Sequence, residues 1–116
     1  MEDKFVYMTP EQIEERKAKI AAIEGLDELR AAIDDANNAE ADAFMDKFRK
    51  YDELRVKYPR ARAYLLAERM ISTEIPIEVR MGSRAMEKIL DGEDPEAVVH
   101  EMRQGLYAFY LAQQGD

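Results

Sequence analysis

From Leu26 onward, apolar residues return every three or four positions: Leu26, Leu29, Ile33, Ala36, Ala43, Phe44, Phe48, Tyr51 and Leu54. That period is the signature of one helical face, and it leaves little room for any other element in this part of the chain. Nowhere beyond the first few residues does a strand-like alternation compete with it, so the fold class is all-α. The spacing predicts one long central helix from about residue 26 to 58, a rod of roughly 50 Å. Its weak point is Asn37-Asn38, because asparagine is a poor helix former. A kink or break there is the alternative.

Start and stop signals divide the rest. Thr9, Pro10 and Gln12 read as an N-cap, a first helical position and the far half of a capping box. A first helix with Ile13, Ile20 and Ile23 on its apolar side follows, and Gly25 is a stop. Before it, Phe5, Val6, Tyr7 and Met8 form a short arm that could dock on helices or on a partner. Pro59 and Pro76 separate a third helix, about 60–72, bearing Tyr64, Leu65 and Ile71, from a fourth bearing Val79, Met86, Ile89 and Leu90. Asp91-Gly92 closes the fourth, and Asp94-Pro95 opens a fifth carrying Val98, Val99, Met102, Leu106, Phe109 and Tyr110.

With 116 residues this is a single domain, the long-helix part at 1–58 and a helical module at 59–116. Leu, Ile, Val and Phe total only 25, beside 16 alanines. Alanine favours close helix approach but buries little area. The expectation is therefore an elongated bundle, with one long central helix and three shorter C-terminal ones.

A net charge of −8 argues against general nucleic-acid binding, which needs a basic face. Cysteine is absent, which removes disulfide and thiol chemistry and suits a reducing cytoplasm. The opening Met-Glu-Asp-Lys-Phe-Val-Tyr-Met lacks the apolar core of a signal peptide. The longest apolar runs are too short to span a membrane.

No chemical motif survives comparison with its plainer reading. His100 is the only histidine and has Glu96 one turn before it, but no second histidine or cysteine completes a metal set. Asp91 to Glu96 clusters carboxylates around Gly92 without the alternate spacing of a calcium loop. Ser72, Thr73 and Ser83 lack a neighbouring base. Neither catalysis, a cofactor nor a metal is expected.

The charges, by contrast, are sorted. Residues 24–46 hold eight acids and one base, Arg30, whereas residues 47–62 hold seven bases and two acids. Ordinary solvated helix faces mix the two signs one turn apart. Two uses fit. Antiparallel pairing of two long helices would set acid on base and make a homodimer. Alternatively, Asp34, Asp35, Glu40, Asp42 and Asp46 could imitate phosphates and enter a basic groove.

Gly82, Ala85, Glu87, Ile89, Gly92, Glu93 and Asp94, preceded by Tyr58-Pro59 and Ala63-Tyr64-Leu65, form a pattern over residues 57–103. This part of the chain resembles a family of small proteins in prophages and mobile elements of Firmicutes. The resemblance implies a mobile-element origin and a helical C-terminal module, and assigns no activity. Together with size and acidity it leads to the expectation of a non-enzymatic protein that binds another protein, an inhibitor of a host nucleic-acid-handling defence enzyme of the anti-CRISPR type. Phe44 and Phe48 would anchor the acidic segment in its partner. The alternative is a homodimeric assembly protein held by its own charge pattern.

Overall fold

The structure, a computed structural model, describes residues 8–114. It contains α1 (Pro10–Ala21), α2 (Leu26–Asn37), α3 (Ala41–Lys57), α4 (Pro59–Ser72), α5 (Pro76–Leu90) and α6 (Pro95–Gln114), with no strand among the described residues. The all-α reading holds. Phe5, Val6 and Tyr7 of the expected arm lie outside the described residues.

Local grammar explains the boundaries. The Thr9 hydroxyl accepts from the Gln12 backbone N–H at 3.1 Å, and the Gln12 side-chain oxygen accepts from the Thr9 N–H at 2.9 Å. Two N-terminal donors are thereby satisfied reciprocally. Pro59, Pro76 and Pro95 each open a helix, where a missing N–H costs nothing. Asp94 caps α6 by accepting from the Ala97 N–H at 2.9 Å.

The long central helix is not continuous. Helix α2 ends at Asn37, Asn38 leaves helical geometry at φ −99° and ψ 2°, and Glu40 is extended at φ −75° and ψ 162°. Asparagine is a poor helix former, and the helix ends at the first of this pair. Helix α3 then turns back along α2 as an αα-hairpin. The rod proposed to pair with a second copy does not form, so acidic and basic stretches lie side by side within one chain.

Helix α4 is the hub, touching α2, α3, α5 and α6. Its contact residues are mainly the small ones: Ala61 and Ala67 are wholly buried, with Ala63 and Tyr64 nearly so, while Leu65 and Ile71 are only half-buried. Of the residues expected on its apolar face, Tyr64 is in the core while Leu65 and Ile71 form its margin, because alanines let neighbouring backbones come close. On α5, Gly82 meets that surface so tightly that a Cβ would lie 2.8 Å from both the Ala67 carbonyl oxygen and Met70 Cβ. Leu26 and Leu29 of α2, Ala85, Met86 and Ile89 of α5, and Val98, Val99 and Met102 of α6 complete one continuous core with Ile23. Each large aliphatic side chain buried there contributes roughly 1.5–3 kcal/mol.

Tyr58 alone separates α3 from α4, and its ring lies over Gly25 so closely that a Cβ there would fall 2.2 Å from it. Gly25 is also left-handed, at φ 78°, which favours glycine on a second count. It acts as the N-cap of α2 and not as the expected stop of α1, which ends earlier, at Ala21 with Ala22 as its C-cap. Helix α1 buries no residue, and Ile13, expected on its apolar side, is exposed. Ion pairs from Arg16 to Glu87 and from Lys19 to Asp91 tie α1 to α5 and the turn after it. The result is a plate of 54 × 46 × 24 Å with a radius of gyration of 16.4 Å, against about 13 Å for a compact domain of this length. The larger radius therefore arises from a flat helical layer.

Candidate docking surface

The hairpin turn brings five of the eight sorted acids together at its own end. Asp34 and Asp35 occupy the last turn of α2, Glu40 the connecting turn, and Asp42 and Asp46 the first turns of α3; all five are exposed. Two of these positions run against local stability. Asp34 and Asp35 sit at the C-terminal end of α2, where the helix dipole disfavours anions, and no basic residue occupies that last turn.

Several other charges in this region are paired. Arg30, the one base in the acidic stretch, makes a two-pronged contact with Glu68 at 2.7 and 3.0 Å. That hydrogen bond raises the guanidinium further above its ordinary pKa. Arg49 pairs with Asp46 at 3.0 Å and Arg55 with Asp52 at 2.7 Å, each within α3. Arg60 donates to the carbonyls of Ile89 and Glu93 at 3.1 and 2.9 Å, closing the end of α5. Three of the seven bases at 47–62, Arg49, Arg55 and Arg60, are thus engaged within the chain. Among the described residues, no ion pair reaches Asp34, Asp35, Glu40 or Asp42.

Beside these acids runs an aromatic ridge. The Phe44 and Phe48 rings stack with centroids 5.9 Å apart and planes 21° from parallel, and Phe48 meets Tyr51 at the same separation. Phe44 is 40% and Phe48 42% exposed, with Met45 beside them at 61%. Helix α3 buries no residue at all. The seven residues singled out in sequence are therefore assembled on one hairpin: five carboxylates at its end, two phenyl rings along its outer helix. The Tyr51 and Leu54 end of α3 packs against the core, so the ridge stands on a fixed base.

A second surface was not singled out in sequence. Phe109 and Tyr110, expected to be core residues of the last helix, are exposed, as are Tyr107 and Leu111. Helix α6, with 20 residues, is longer than the 15-residue α5 it packs on. A signal existed: residues 104–114 contain no charged side chain in a chain that is 36% charged.

The remaining candidates are structural. His100 faces solvent on α6. No group of three potential metal-ligating side chains converges among the described residues. In the 91–94 turn, Asp91 pairs with Lys19, Gly92 takes φ 90°, and Asp94 caps α6, which accounts for that acid cluster as a helix joint. The groove between α2 and α4, lined by Arg30, Ile33, Asp34, Leu65, Glu68 and Arg69 among others, is wide open. No helix of the described residues is long and apolar enough to cross a membrane. The surface at the end of the α2–α3 hairpin must be interpreted from its own chemistry, since comparisons with protein-family models, curated proteins and solved structures give no match.

Proposed function

We propose that this chain is a non-enzymatic binding protein whose α2–α3 hairpin docks in a basic groove of a nucleic-acid-handling protein and blocks it. One observation carries the reading: an outer helix without a buried residue presents stacked Phe44 and Phe48 beside four carboxylates that have no ion-pair partner in the described chain. Carboxylates spaced along a helix end offer a basic channel the charge it receives from phosphates, and they steer encounter from a distance. The phenyl rings supply what charge alone lacks. Buried aromatic anchors each contribute on the order of 2 kcal/mol or more when they fill a pocket. The resemblance of residues 57–103 to small prophage and mobile-element proteins gives the context: an inhibitor of a host defence system, anti-CRISPR in type, working in the cytoplasm.

The test is a paired capture from host extract, with the wild-type chain and an Asp34→Lys, Asp35→Lys, Asp42→Lys, Asp46→Lys variant as baits. The wild type should retain a nucleic-acid-binding protein that added DNA or RNA displaces, and the variant should lose it. If both baits retain the same proteins in the presence of nucleic acid, phosphate imitation is wrong.

A further inference from the structure

We propose that the last two turns of α6 are a self-association surface, on which a second copy of this chain packs as an isologous dimer. This inference is independent of the hairpin reading. Up to Leu106 the helix is ordinary: Val98, Val99 and Met102 are buried and Leu106 packs against the core. Beyond it, Tyr107 is 63% exposed, Phe109 38%, Tyr110 41% and Leu111 48%. Phe109 continues the inward stripe of Val98, Met102 and Leu106, while Tyr107 and Leu111 lie four apart on the opposite side. A helix segment that is apolar around its whole circumference belongs inside a structure. Here the described residues of its own chain cover one side only.

Charge identifies the occupant. An isologous contact sets a surface against its own copy, so it must not repel itself. In a chain of net charge −8, the acidic hairpin end fails that condition. The α6 tail meets it, being free of charge from Gln104 to Gln114. Its border is also balanced. The Tyr110 hydroxyl donates to Glu78 at 3.1 Å, which places the tail beside the start of α5. That part of α5 and the residues just before it carry two acids, Glu74 and Glu78, and two bases, Arg80 and Arg84, so the formal charge over this stretch is zero. A strongly basic or acidic foreign partner would find no counter-charge on this tail; a second copy needs none.

The area places the contact at the weak end of the dimer range. At about 200 Å² per ring, the exposed fractions of Tyr107, Phe109 and Tyr110 amount to roughly 300 Å² of aromatic surface per copy. Leu111 and, one turn before Glu78, Ile75 at 44% exposure extend it. A standard interface buries about 800 Å² per partner, so the aromatic centre needs its polar border, and self-association should be concentration-dependent.

Sedimentation equilibrium from low to high micromolar chain tests this, with circular dichroism confirming that each variant is folded. The wild type should pass from monomer to dimer. Tyr107→Lys with Leu111→Lys, both at exposed positions, should weaken that equilibrium at least tenfold. Tyr107→Gln with Leu111→Gln is the substitute if the lysine pair misfolds, and it should act in the same direction. Half-molar salt and the four-aspartate reversal should leave the dimer intact. A monomer throughout the range overturns the proposal, whether a foreign protein or another part of the chain covers the tail. So does a dimer that survives both tail variants, or one that dissociates with salt or with the aspartate reversal.

Discussion

Gly82 and Gly105 both lie inside helices, yet replacing each with alanine should move stability in opposite directions. Removing glycine from a helix interior gains about 1 kcal/mol in either case. What differs is the space around the new methyl group. At Gly82 it would stand 2.8 Å from the Ala67 carbonyl oxygen and 2.8 Å from Met70 Cβ. One is backbone and the other the root of a side chain, so neither can yield unless α4 and α5 separate. Overpacking of that kind costs about 1–3 kcal/mol, and this contact holds the hub helix to its neighbour. At Gly105 the methyl would meet Met81 Sδ at 2.9 Å, in the flexible part of a thioether chain that can change rotamer. Gly105→Ala should therefore keep its propensity gain of about 1 kcal/mol, while Gly82→Ala loses that gain and roughly another 0–2 kcal/mol. Because the propensity gain is common to both, the difference isolates the clash. Thermal melts should place the two variants about 4–12 °C apart, at about 4 °C per kcal/mol for a chain of this length. Equal melting temperatures, or a Gly82→Ala variant more stable than Gly105→Ala, would refute the close α4–α5 contact.

Three further outcomes follow from the same packing. Leu29, at 1% exposure, joins α2 to the hub, so Leu29→Ala should lower the urea midpoint by the equivalent of about 2–5 kcal/mol with an unchanged slope. Lys88 donates to Glu101 at 2.6 Å and lowers the carboxyl below its ordinary pKa; its stabilising share is present above the ordinary carboxylate pKa and is lost as pH falls through the folded value. Carboxyl-carbon NMR should show the Glu101 midpoint rising in Lys88→Met, and an unmoved midpoint would remove that ion pair from the description. Finally, spin labels on Glu28→Cys and Glu53→Cys, in a chain with no other cysteine, should lie within about 20 Å if α2 and α3 are packed neighbours; a continuous helix would hold them about 38 Å apart.

How far the sequence could be read depends on which interactions are local. Thr9 with Gln12, Pro59, Pro76 and Asp94 act within a turn of themselves, and each marks a boundary where the structure has one. The break at residues 38–40 was harder because the apolar period runs through it. Leu26 and Leu29 on one helix and Tyr51 and Leu54 on the next pack in a shared centre, so their phase survives the reversal of direction. Asn37-Asn38 was the remaining local clue. The importance of Ala61, Ala63 and Ala67 was not visible because small residues signal burial only when their neighbours are known. The carboxylates of the hairpin end were legible as a charge run, but their gathering at one end depends on the turn. The exposure of Tyr107 to Leu111 was misread for the opposite reason: their apolar character looks like core, and only the place where α5 begins shows that part of α6 outreaches its support.

The central claim is that the end of the α2–α3 hairpin, and no other surface, meets the foreign partner. Amide-exchange mass spectrometry of the wild-type chain, alone and in complex with the protein it captures from host extract, tests that claim most directly. The expected result is slowed exchange across residues 34–48, with α1 and the α6 tail unchanged between the free and bound states. Protection confined to α1 or α6, with residues 34–48 exchanging as in the free chain, would contradict it.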